Sequence, residues 1–168
     1  MDPLIIGGII IFVLLLVVLS GAKKKLPAKP KNGELPYRLK KSLLTERESK
    51  FFRVLLTVVE NRGLLVVVKP RLADFLDVTL EKYVKGSQFN TYFNKIAKKH
   101  VDFLLLDRES FTPVLAIELD DKTHQRADRV ARDNFVDQVY ATVGLRVIHV
   151  LEYNHEAIDE RIGNAIAS

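Results

Sequence analysis

Residues 4–22, LIIGGIIIFVLLLVVLSGA, form a run of nineteen residues without a charge, and this run sets the first limit on the chain. At about 1.5 Å per residue, a helix of that length spans roughly 28 Å, close to the hydrocarbon thickness of a bilayer. The competing assignment is a cleaved signal peptide, which requires a positive charge ahead of the apolar run. Only Asp2 precedes the run, and Lys23, Lys24 and Lys25 follow it. The pattern predicts an uncleaved transmembrane anchor over residues 1–22. Lysines directly after a span hold their side in the cytoplasm. The expected placement is therefore single-pass in the inner (cytoplasmic) membrane, amino terminus out, with the remainder cytoplasmic. The three lysines also suit contact with anionic lipid headgroups, each worth about 1 kcal/mol near the surface, and serve equally well as a stop-transfer signal.

The average charge hides an asymmetry. The net charge is +5 and the isoelectric point about 9.4, yet residues 22–43 carry eight Lys/Arg against Glu34 alone. From Leu44 onward, 18 basic residues face 19 acidic ones. The basic excess thus belongs to one segment, and the overall charge does not argue for nucleic-acid binding by the rest. Residues 23–42 contain Pro27, Pro30, Gly33 and Pro36 with no apolar period, the pattern of a linker. Residues 43–168 are long enough for one domain. The chain has no cysteine, which excludes disulfides, thiolate metal sites and cysteine nucleophiles.

Periodicity in this domain predicts a mixed α/β fold with one central sheet. LLTERESKFFRVLLTVVENRG reads as a helix, with Thr45 and Glu48 as a capping box and Asn61 and Gly63 at its end. LLVVVKP is a strand stopped by Pro70, and RLADFLDVT a short helix or irregular. EKYVKGSQFNTYFNKIAKKH has a helical period interrupted by Gly86. VDFLLLD and VLAIELD read as strands joined through RESFTP as a hairpin. HQRADRVARDNFVDQVYATVG is a helix with Val136, Val139 and Tyr140 on one side, LRVIHVLE a strand, and NHEAIDERIGNAIA a closing helix.

The second hairpin strand ends in an unusual concentration of ionisable groups: Glu118, Asp120, Asp121, Lys122 and His124. Pairing Asp107 near Val114 places Asp102 opposite roughly Leu119, so Asp102, Glu118 and Asp120 are expected at one end of the sheet. Glu118 and Asp120, two apart, share a face. Carboxylates crowded beside a core repel one another, and a divalent cation relieves that repulsion. Oxygen-only donors point to Mg²⁺ or Mn²⁺. His124 can act as ligand, general base or phosphate contact, and Lys122 can stabilise developing negative charge. The structural alternative is equally open on spacing alone. Asp102 then caps a strand entry, Glu118 pairs with Arg129 or Arg132, and Asp121 or Thr123 caps the next helix.

VDFLLLD, VLAIELDDKTH and RVARDNFVDQVYATVGLRVIHV together resemble the PD-(D/E)XK nuclease superfamily. Within it they are similar to the branch around very-short-patch repair endonucleases. The stretch from about Leu43 to Leu151 also resembles a bacterial family known only as a domain of unknown function. The resemblance implies a restriction-endonuclease-like central mixed sheet flanked by helices, and metal-assisted hydrolysis of phosphodiester bonds in DNA, or RNA. It implies that Asp102 and Glu118 hold Mg²⁺ or Mn²⁺, that Glu48 completes the site, and that His124 or Lys122 activates water or steadies the transition state. Asp120 stands where the superfamily usually has Lys. Lys95, Lys98, Lys99 and His100 become candidates for nucleic-acid backbone contacts, against the alternative of a solvated face. A homodimer suits an enzyme that cuts a duplex.

Other residues read more simply. His149 is expected to pack within its strand and His155 to lie in a loop or helix start. Tyr37, Tyr83, Tyr92 and Phe93 can stack on bases, with core packing the default expectation. No Gly-rich phosphate loop, nucleophilic serine motif or Cys/His zinc spacing is present. Three functions remain: a membrane-anchored nuclease, a catalytically inactive nuclease-fold module binding nucleic acid or a protein partner, and a structural domain at the membrane.

Overall fold

The computed structural model describes Gly33, residues 35–120 and residues 127–167, with 127–134 described by backbone alone. The anchor expected over residues 1–22, the lysines that follow it, and the predicted site residues Lys122 and His124 lie outside the described residues. Among the described residues no helix is long and apolar enough to cross a membrane. The chain divides into two units, Met1–Lys41 and Ser42–Ser168. In the first, residues 35–41 are exposed and irregular.

The second unit is a mixed α/β structure. Helix α1 (Glu46–Val59) precedes strand β1 (Leu64–Val68), a 3-10 turn (Leu72–Asp74) and helix α2 (Phe89–Ile96). Strands β2 (Phe103–Asp107) and β3 (Pro113–Glu118), helix α3 (Ala127–Val143), strand β4 (Arg146–His149) and helix α4 (His155–Ala167) complete it. The four strands form one sheet in the order β1-β2-β3-β4. The first two pairings are antiparallel and β3–β4 is parallel. The parallel step is what requires the crossover helix α3, because antiparallel strands can turn directly whereas parallel ones cannot.

Both faces of the sheet are covered, which explains why its strands read as unbroken apolar runs. On one face Phe103, Leu105, Leu115 and Ile117 pack with Phe51, Leu55, Val58 and Val59 of α1 and Ile158 and Ile162 of α4. Phe51 and Phe52 both contact the Phe103 ring, at centroid distances of 5.3 and 5.9 Å. On the other face Val101, Leu104 and Ala116 pack with Tyr140 of α3. The capping box of α1 forms as its sequence indicates. Thr45 Oγ1 accepts from the Glu48 N–H, and Glu48 Oε2 accepts from the Thr45 N–H. Gly144, at φ +70°, ends α3 in a conformation that a residue with a Cβ adopts at a cost of about 1 kcal/mol.

Gly86 interrupts the segment from Glu81 to His100 as expected, and two other expectations are corrected. The long segment from Glu81 to His100 yields only the eight-residue helix α2, which buries Ile96 alone. Gly86, at φ +83°, turns the chain before that helix begins. The hairpin register is one residue off: Phe103 pairs with Ile117, which brings Asp102 level with Glu118 rather than Leu119. On the turn side the offset is two residues, with Leu106 against Pro113, and the irregularity between Leu105 and Leu106 takes back one of them. Finally, Tyr37, Tyr83, Tyr92 and Phe93 do not pack in the core. They are 82%, 91%, 43% and 39% exposed.

Candidate functional site

Each strand places one ionisable residue at the same end of the sheet. Val68 pairs with Phe103, so Lys69 follows β1 just where Asp102 precedes β2. Phe103 pairs with Ile117, so Asp102 lies level with Glu118, and Glu118 pairs with His149 at the end of β4. The result is a row across the sheet: Lys69, Asp102, Glu118, His149. Two-residue alternation puts Glu118 and His149 on the face of Ala116 and Val147, beneath α3.

Lys69 is the residue that sequence reasoning missed altogether. Its backbone is left-handed, at φ +51°, which costs a residue with a Cβ about 1 kcal/mol. Its N–H donates to the Asp102 carbonyl at 3.0 Å. Its ammonium lies between two carboxylates, donating to Glu48 Oε1 at 2.7 Å and to Asp102 Oδ1 at 3.2 Å. All three side chains are largely buried. Burial opposes the charged ammonium, but the bonds and charges of Glu48 and Asp102 outweigh it, and Lys69 holds its proton above the usual lysine range. Burial likewise opposes the Glu48 carboxylate, and the hydrogen bonds from Lys69 and Thr45 hold it below its usual range. Glu48 thus does cap its helix while also joining the row through Lys69.

Asp102 does more than enter a strand. Its Oδ2 accepts from the Leu119 N–H at 3.0 Å, tying the start of β2 to the end of β3. Next to it Glu118 is partly buried. Burial, reinforced by the Asp102 carboxylate, pushes the Glu118 carboxyl up to about 8. At neutral pH this group therefore keeps its proton in the absence of a cation.

Asp120 turns to His149. The imidazole Nδ1 lies 3.2 Å from Asp120 Oδ1, and Nε2 lies 3.2 Å from Asp137 Oδ1 on α3. Burial works against the imidazolium, but the hydrogen bonds and charges of the two aspartates outweigh it, and His149 titrates above the ordinary histidine range. The expectation that His149 merely packs in its strand is therefore corrected. His155 starts α4, as one of its two expected placements had it. Tyr140, fully buried beneath the row, has a hydroxyl with no hydrogen-bond partner among the described residues. Burial and the nearby charge of Glu118 keep that phenol protonated well above its usual range.

Arg47 braces this end of the sheet from α1. Its guanidinium donates to the carbonyls of Leu119, Val150 and Leu151 at 3.4, 3.1 and 2.7 Å, and Tyr153 Oη donates to the Arg47 carbonyl at 3.1 Å. Of the three acids expected to converge, Asp102 and Glu118 stand side by side in the row, flanked by Lys69 and His149, and Asp120 meets the row through His149. Among the described residues, no three or more His, Asp and Glu side chains are grouped so as to hold a metal ion. The reason is visible in the bonds: Lys69 and the Leu119 N–H engage Asp102, and His149 engages Asp120. Of the predicted nucleic-acid contacts, Lys95, Lys98 and His100 are exposed and Lys99 is partly so. His100 forms a bridge with Arg71 two residues ahead of Asp102.

Residues 40–166 match the model of the family described as "Protein of unknown function (DUF2726)", and the chain belongs to that family. No curated protein and no solved structure matches it.

Proposed function

We propose that this DUF2726 member is a metal-dependent, nuclease-like hydrolase of phosphodiester bonds in DNA or RNA, with a PD-(D/E)XK-type site and a tether to the membrane through residues 1–22. The observation that carries the reading is the Glu118 carboxyl, raised to about 8 beside Asp102 at the end of a four-strand row of ionisable groups. A buried carboxyl pair in which one member keeps its proton is an arrangement that a divalent cation stabilises. Asp102 and Glu118 would hold Mg²⁺ or Mn²⁺, consistent with their oxygen-only donors. When bound, such an ion neutralises phosphate charge and lowers the pKa of a coordinated water.

The remaining residues have roles of their own. Lys69 supplies an ammonium beside Asp102 from the end of β1, in a chain whose Asp120 stands where the superfamily has Lys. It holds Asp102 in place and can bind a phosphate oxygen. Glu48 fixes Lys69. His149, held at both ring nitrogens by Asp120 and Asp137, can accept or return a proton. Lys122 and His124 remain proposed for water activation. Lys95, Lys98, Lys99 and His100 remain proposed for phosphate contacts.

The test is Mn²⁺ titration of the full chain, beside Asp102→Ala and Glu118→Ala. Saturable binding lost in both variants supports the reading; absence of binding in the unaltered chain rejects it. A second reading, a catalytically silent module that binds nucleic acid or a protein partner at the membrane, draws on the engagement of Asp102 by Lys69. Under that reading metal binds weakly and no oligonucleotide is cleaved, whereas a homodimeric nuclease cuts duplex DNA and loses this activity in both variants.

A further inference from the structure

The segment before β2 combines charge and aromatic surface in a way the row does not explain. From Lys82 to Val101 there are five lysines, Lys82, Lys85, Lys95, Lys98 and Lys99, and no acidic residue. This concentration occurs in a domain that is otherwise near charge balance; Glu81 and Asp77 just precede it. The same stretch carries Tyr83, Phe89, Tyr92 and Phe93, and three of these rings are more than a third exposed. Helix α2 buries only Ile96 and leaves Tyr92 and Phe93 partly open to solvent.

The rings and lysines are interleaved. Lys82 Nζ lies 5.4 Å from the Tyr83 ring centroid and 5.6 Å from that of Phe89, which stacks on Phe93 at 5.8 Å. Lys95 Nζ lies 4.9 Å from Tyr92 and 5.8 Å from Phe135 of α3, and Lys99 Nζ lies 5.8 Å from the same Phe135 ring. The Lys95–Lys99 end of this patch is connected to the row in two ways. Lys99 and His100 lead directly to Asp102, and Phe135 lies two residues from Asp137, the partner of His149.

We propose that this face binds a single-stranded nucleic acid, its unpaired bases stacking on Tyr83, Phe89, Tyr92 and Phe93 while the lysines bind the phosphates between them. Every base offers a π-face, so stacking needs no particular sequence, and an ammonium already beside a ring is within reach of the phosphate of a base laid on that ring. A duplex hides its base faces and gains only the phosphate contacts. The choice of ligand rests on the proposed function, which it deepens by naming an unpaired strand as the substrate delivered to Asp102 and Glu118.

The test uses the full chain with a fluorescent oligo(dT) of about 20 nucleotides and a duplex of equal length, in EDTA so that no metal contributes. The single strand is expected to bind at least about tenfold more tightly than the duplex. Tyr92→Ala and Phe93→Ala each weaken it about tenfold, whereas Tyr92→Phe, which keeps the ring, binds as the unaltered chain does. Lys95→Ala lowers the slope of log affinity against log salt by about 0.7. Equal affinity for both oligonucleotides, or Tyr92→Ala and Phe93→Ala variants that bind normally, overturns the proposal. So does self-association of the chain that Tyr92→Ala abolishes, which assigns the patch to a second copy. Asp102→Ala and Glu118→Ala are expected to keep strand binding. If strand binding holds while no metal binds and nothing is cleaved, the nuclease reading fails and the strand-binding surface stands.

Discussion

The β2–β3 hairpin carries carboxylates at both ends, and the two ends treat them in opposite ways. At the turn, Asp107 Oδ1 accepts from the Glu109 and Ser110 N–H groups and from the Ser110 hydroxyl, at 3.1, 2.8 and 2.8 Å. The Ser110 and Glu109 bonds hold its carboxyl below the usual aspartate range. At the other end Glu118 is partly buried beside Asp102 and pushed up to about 8. The first carboxylate closes a turn and its role is complete within five residues. The second is held in an environment that disfavours its charge, an arrangement that stabilises no turn and suits a site.

The difference has a sign in pH. A depressed carboxylate stabilises the fold above its unfolded pKa, and that contribution is lost as pH falls through the folded value; this is the case for Asp107 below about pH 3.8. A raised carboxyl does the reverse. The folded state binds more protons than the unfolded one, so stability falls as pH rises from about 4.5 to about 8 at Glu118. His149, also raised, contributes stability that is complete below about 6.5 and is lost as pH rises through its folded value.

The largest expected effect comes from Lys69→Met, which leaves Glu48 and Asp102 facing each other without the ammonium. It should cost about 3 kcal/mol at pH 7 in urea unfolding and less in acid, where a carboxyl that has lost the Lys69 ammonium takes up a proton more readily. A loss that does not vary with pH would remove Lys69 from the row. Glu118→Gln is expected to stabilise the metal-free fold by about 2 kcal/mol at pH 7, with the gain vanishing near pH 4.5. If Glu118 were instead paired with Arg129 or Arg132, the same substitution would destabilise, and the contrast with Asp107 would collapse. Tyr140→Phe removes a buried hydroxyl that has no partner among the described residues and should leave stability unchanged or raise it by about 1 kcal/mol. A clear loss in thermal unfolding would show that the hydroxyl has a partner. Asp107→Asn, the smallest change, keeps an acceptor for the turn and should cost a little stability above about pH 4, with the difference from the unaltered chain vanishing as pH falls further.

Much of the fold was legible because its causes are local or periodic. The Thr45–Glu48 capping box, the Gly144 stop and the apolar runs of a sheet covered on both faces all follow from short stretches of sequence. Asp102 and Glu118 were legible as neighbours because a hairpin fixes register to within a residue or two, and the irregularity at Leu105/Leu106 brought the far end to within one residue of the expected pairing. Lys69 was not legible. It precedes a proline on what reads as a strand end, and its partners lie 21 and 33 residues away. The same holds for His149, whose two aspartates are 29 and 12 residues distant. The exposed rings of α2 misled for another reason: aromatic residues usually pack inside, and only the scarcity of covering elements left these outside.

The most direct test of the site is proton release on Mn²⁺ binding, measured by calorimetry of the full chain at pH 7 in buffers of different ionisation enthalpy. A Glu118 carboxyl that keeps its proton until a cation arrives predicts release of about one proton per ion, falling toward none near pH 9, and no binding by Glu118→Gln. Binding without proton release, or binding that survives in Glu118→Gln, would contradict the account.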